Sequence, residues 1–70
     1  DLPFEFFMNA FRLNQPIPKA LFEQRTGLAL DVLRDPITAA LNKGLITESP
    51  THWQTTPQGQ LFLNELLQLF

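Results

Sequence analysis

The side chains that could carry chemistry are few, and they do not converge. His52 is the one histidine, and cysteine is absent from all 70 residues. Disulfides, thiolate zinc sites and iron–sulfur ligation by this stretch of chain are therefore excluded. His52 is a conceivable ligand for a metal or a heme iron, but no Asp or Glu at metal-ligand spacing converges on it in sequence. A histidine in a turn beside Trp53 reads instead as a surface residue stacked on its neighbour. Met8 is a conceivable axial sulfur ligand, yet it falls at helical spacing among Phe4, Phe7 and Phe11 and reads first as core filling. Asp31 and Asp35 have the spacing of an acid–base pair, and helix capping accounts for both. Three scattered glycines make no phosphate-binding loop. The expectation is a domain with no catalytic, cofactor-binding or metal-binding residue of its own.

Composition sets the frame for these residues. The chain has 8.0 kDa of mass, is 44% apolar and 17% charged, and carries a net charge of −2. That is a globular mixture, too apolar for a disordered segment and too interrupted by charge for a membrane span. A domain of this size buries only about 60% of its unfolded surface, which leaves a marginal core. The sequence opens at Asp1 without methionine and closes on Leu69-Phe70 inside an apolar run. No basic segment with a hydrophobic stretch behind it marks a signal peptide. One domain over residues 1–70, cut from a longer cytoplasmic polypeptide, is the expectation.

Hydrophobic spacing predicts a helix over residues 3–13. Phe4, Phe7, Met8 and Phe11 form one stripe, and Phe6, Ala10 and Leu13 form a second, weaker edge. Pro16 and Pro18 then impose an extended linker. A short helix follows from Pro18 or Lys19 to Thr26, with Gly27 placed for a left-handed cap. Beyond Leu28-Ala29-Leu30, Pro36 interrupts the next helical pattern. The favoured reading has one turn over 31–34, then Asp35 as N-cap and Pro36 at the first helical position; the other is a single helix kinked at Pro36. Gly44 ends either. Residues 45–48 and 52–55 read as a small hairpin around Ser49-Pro50-Thr51. Thr56-Pro57 opens a final helix through about Leu69, apolar on nearly every side.

This order is mainly α with a small β-hairpin, and it is that of a winged helix. Such a fold raises DNA binding, which needs a basic recognition surface. The candidate recognition helix offers Asp31, Arg34, Asp35, Asn42 and Lys43, nearly neutral in sum, and the hairpin contains Glu48 and no Lys or Arg. With a pI near 5.0, the long-range field opposes a polyanion, so no nucleic-acid partner is expected.

Several segments resemble the C-terminal domain of the HemN/HemW family of radical S-adenosylmethionine proteins. They are residues 2–13 (Leu-Pro-Phe-Glu-Phe-Phe-Met-Asn-Ala-Phe-Arg-Leu), Phe22-Glu23, Thr26-Gly27-Leu28, Lys43-Gly44-Leu45-Ile46, Trp53-Gln54-Thr55-Thr56, Gly59 and residues 62–67 (Phe-Leu-Asn-Glu-Leu-Leu). The wording is nearest the HemW-like branch. The resemblance implies a winged-helix-like domain packed beside a radical SAM barrel. That barrel carries a three-cysteine motif for a 4Fe–4S cluster that binds S-adenosylmethionine, and none of the motif lies in this chain. Two functions for the whole polypeptide follow by resemblance: heme trafficking, ranked first, and oxidation of coproporphyrinogen III, ranked second. Heme or porphyrin and the barrel are the implied partners. The expected core is Phe4, Phe7, Met8, Phe11, Leu41, Trp53, Phe62 and Leu66. Some of Phe6, Leu63, Leu67 and Phe70 are expected to face the barrel, so that the isolated domain self-associates.

Overall fold

Asp1 starts the first helix, its carboxylate accepting the Phe4 N–H at 2.8 Å. In the computed structural model, which describes all 70 residues, this helix is α1, Leu2–Ala10. Pro3 lies in its first turn, where a missing N–H costs nothing. The expected last turn tightens into a 3₁₀ turn, Phe11–Leu13. Asn14 then closes it in the left-handed region, φ 51°, which Asn enters more readily than other side-chain-bearing residues.

The segment expected as a linker contains a strand. β1, Ile17–Pro18, pairs antiparallel with β3, His52–Thr55, through Ile17 opposite Trp53 and Pro18 opposite His52. β2, Ile46–Glu48, lies on the other side of β3, and the sheet has the order β1-β3-β2. The predicted hairpin is thus two strands of a three-stranded antiparallel sheet. Two residues are too few to show alternation, and Pro18 is tolerated because β1 is an edge.

α2, Lys19–Thr26, ends at Gly27 with φ 72° and its N–H on the Glu23 carbonyl. Around Pro36 the two-piece reading holds in outline, and its boundary is corrected. A 3₁₀ turn, Leu30–Leu33, leads into α3, Arg34–Asn42, with Leu33 at the cap position and no side-chain cap bond. Asp35 and Pro36 are the second and third residues of α3, so neither Asp31 nor Asp35 caps it. Pro36 fits because N–H groups of the first turn have no intrahelical partner to lose.

The final helix is two helices. Thr56 caps α4, Pro57–Leu61, accepting the Gly59 N–H at 3.0 Å. Phe62 then leaves the helical region, at φ −112° and ψ 45°, before α5, Leu63–Gln68. A Cβ built at Gly59 would collide with the Leu45 carbonyl. α4 therefore rests its backbone on the chain entering β2, while α5 buries Leu66 and Leu67. These two anchors do not share one helix axis.

Phe7 is the hub of the core. Its ring meets those of Phe6, Phe11, Phe22, Trp53 and Phe70 at centroid separations of 4.4–5.9 Å. Phe11, Ile17, Phe22, Leu33, Ile37, Ala40, Leu45, Ile46, Trp53, Leu66 and Leu67 complete the buried set, with Phe4 and Leu41 packed against it. Two expected core residues are outside: Met8 is 40% and Phe62 47% exposed. Met8 lies about 100° round the helix from Phe7, at the edge of the stripe, and Phe62 sits at the helix break. Conversely, Leu67 is core and Phe6, Leu63 and Phe70 pack against it. The large apolar side chains left at the surface are Leu2, Met8, Leu13, Val32, Leu61 and Phe62.

Candidate docking surface

His52 occupies the central strand, not a turn. Strand residues alternate between faces, so Trp53 turns into the core while His52 faces outward and is not stacked on it. Its Nδ1 lies 2.7 Å from the Thr51 Oγ1. With Pro16, Thr47, Glu48, Ser49, Trp53 and Gln54 it lines an open depression of about 490 Å³. Met8 is on the surface of α1, and Asp31 and Asp35 are exposed on the 3₁₀ turn and on α3. The structure does not bring these four together, and no three His, Asp or Glu side chains converge. A 4Fe–4S cluster needs thiolates, and the chain has none. The residues present do not fit the cluster that the resemblance implies.

One polar assembly went unread in the sequence. Gln60 Nε2 donates to the Phe11 carbonyl at 2.6 Å and to Thr55 Oγ1 at 2.8 Å. The Thr55 hydroxyl in turn donates to Asn14 Oδ1 at 3.0 Å. Thr55 is the buried polar member of the core. The assembly ties the end of α1, the central strand and α4 to one another. Its partners are 5 to 49 residues apart, so no local spacing announces it.

The predicted second edge of α1 lines a groove against α2. One depression, about 190 Å³, is formed by Phe6, Asn9, Ala10, Leu13, Gln15, Ile17, Pro18, Leu21 and Arg25. Its neighbour is formed by Leu2, Glu5, Phe6, Asn9, Arg25 and Thr26. Phe6, Asn9 and Arg25 belong to both, so the two are continuous along α1. The ion pairs of the chain are Lys19 with Glu48 at 2.7 Å and Lys43 with Glu65 at 3.9 Å. Arg25 has no carboxylate partner.

Fold and surface together define an α-rich domain with a small antiparallel sheet and apolar side chains displayed on more than one face. The sequence model of the HemN C-terminal domain matches residues 1–62, and the chain belongs to that family. Over all 70 residues it is 50% identical to a protein of Haemophilus influenzae and to one of Escherichia coli, each named heme chaperone HemW. A protein of the same name from Buchnera aphidicola is 43% identical over the same length. The chain spans 18–19% of the length of these relatives. No solved structure matches it. No helix is long and apolar enough to cross a membrane.

Proposed function

We propose that this chain is the packing domain of a cytoplasmic heme chaperone of the radical SAM type, and that it catalyses nothing itself. On this reading the cluster, S-adenosylmethionine and heme are handled by the remainder of the polypeptide. The observation that carries it is the surface of the domain: Leu2, Met8, Leu13, Val32, Leu61 and Phe62 are exposed on a chain half identical to the heme chaperones over its whole length. Scattered apolar residues are ordinary on any surface. Here Leu2 and Leu13 flank a continuous groove, which is the arrangement an interface uses. The relatives' names favour heme trafficking over coproporphyrinogen oxidation. The order α2, 3₁₀ turn, α3, β2, β3 agrees with a winged helix used as a protein-facing scaffold.

Heme titration followed at the Soret band tests this reading. The full-length protein is expected to bind saturably, and its His52→Ala variant to bind equally well, because the depression that His52 lines is open to solvent and no second ligating side chain converges on it. Loss of the shifted Soret band in His52→Ala would place an axial ligand in this domain and overturn the reading.

A further inference from the structure

We infer that the α1–α2 groove is where this domain holds the rest of its own polypeptide, and that the segment seated there presents an aliphatic side chain beside a carboxylate that pairs with Arg25. The inference rests on the packing role proposed above and gives that role a face and a partner chemistry.

The groove is written into α1 with helical spacing. Leu2, Glu5, Phe6, Asn9 and Ala10 of α1, continued by Leu13 of the 3₁₀ turn, fall at steps of three and four along one side. Its floor is firm, because Phe6 stands edge-on to Phe7 at 5.0 Å and to Phe22 at 5.3 Å. Its two depressions measure about 190 Å³ and about 200 Å³, and each is of a size to seat one aliphatic side chain.

Charge fixes the rest of the occupant. Arg25 stands where the two depressions meet and has no carboxylate partner in the chain. A guanidinium is a planar fork matched to a carboxylate, and the pairing strengthens as the occupant removes water around it. Glu5, which lines only the depression nearer Leu2, repels a second acid there and so gives the groove a direction. The relatives are more than five times as long as this chain. A tethered segment of the same polypeptide meets the groove at high effective concentration, so a shallow site suffices to hold it. The other apolar surface, Leu61 and Phe62, lines no depression.

Hydrogen exchange on the full-length protein tests this, comparing wild type with Arg25→Glu, Arg25→Gln and Leu61→Glu. Amides of α1 and α2 are expected to exchange at least about tenfold faster in Arg25→Glu, the loss of one charge-assisted pair. Those of β3 should stay protected, which reports that the domain is still folded. Leu61→Glu should leave α1 and α2 as in wild type. If Arg25→Glu loses β3 protection, Arg25→Gln, which drops the charge at similar size, supplies the reading. Unchanged exchange in a folded Arg25 variant overturns the inference, as does faster exchange in Leu61→Glu alone. Protection of α1 and α2 that rises with protein concentration also overturns it, in favour of a second copy. Failure of the packing role itself looks different: α1 and α2 of the wild type would then exchange as fast as in the domain after proteolytic release.

Discussion

α1 and the stretch α4–α5 are both apolar on more than one side, yet α1 is one helix and the other stretch is broken at Phe62. Along α1 and its 3₁₀ continuation, Phe7 and Phe11 enter the core while Phe6 and Ala10 line the groove toward α2, so both edges have cover. At the other end, Gly59 holds α4 against the Leu45 carbonyl and Gln60 bonds back to Phe11 and Thr55. Leu66 and Leu67 hold α5 in the core, and Phe70 packs on Phe7 at 4.4 Å. No proline or glycine marks the break. The chain bends because two anchors on different surfaces outweigh the hydrogen bonds of one turn, and Leu61 is left 76% exposed. An apolar sequence therefore means burial only where its side chains and its backbone can be seated together.

The contrast can be broken most severely at Phe7. Its truncation to alanine removes the ring on which five others pack, at a cost of about 4 kcal/mol. A 70-residue chain has roughly 4–10 kcal/mol of stability in all. Phe7→Ala is expected to lose its near-ultraviolet dichroism and cooperative melting; a wild-type melt would remove Phe7 as the hub. Gly59→Ala comes next. In an exposed helix that change gains up to about 1 kcal/mol, but here the new methyl meets a backbone carbonyl, and a net loss of about 2 kcal/mol is expected in urea unfolding. A gain would show that α4 is free to slide.

The polar tie sharpens the comparison further. Gln60→Ala should cost about 1–2 kcal/mol, and a double-mutant cycle with Thr55→Val should return a coupling of at least about 0.5 kcal/mol. Strict additivity would mean that the two side chains act separately. The smallest effect belongs to Leu61→Gln, expected within about 0.5 kcal/mol of wild type. A larger loss in the isolated chain would mean that the break at Phe62 closes in solution and buries Leu61.

Much of the fold was legible where the signal is local. Pro3, Gly27, Gly44 and the Thr56-Pro57 pair mark helix ends through backbone rules that depend on a few neighbouring residues. Family membership was legible from wording, and the second edge of α1 from spacing. β1 was not legible, because Ile17-Pro18 forms a strand only when β3, with Trp53 opposite Ile17 and His52 opposite Pro18, arrives from far along the chain. Met8 was misplaced for a related reason: the stripe of α1 is narrower than four consecutive matches suggest once Phe70 and Trp53 occupy the space beside Phe7. The stacking expected of His52 on Trp53 failed because the two alternate across β3.

By itself the sequence determined the helices and most of their ends, the absence of thiolate chemistry, and the family. These follow from backbone sterics, side-chain composition and order along the chain. Tertiary structure alone decided that β1 joins the sheet, that the last helix breaks at Phe62, that Asn14, Thr55 and Gln60 form one assembly, and that Arg25 stands unpaired over an apolar groove. Each of these depends on groups distant in sequence competing for the same space, and that competition has no period to read.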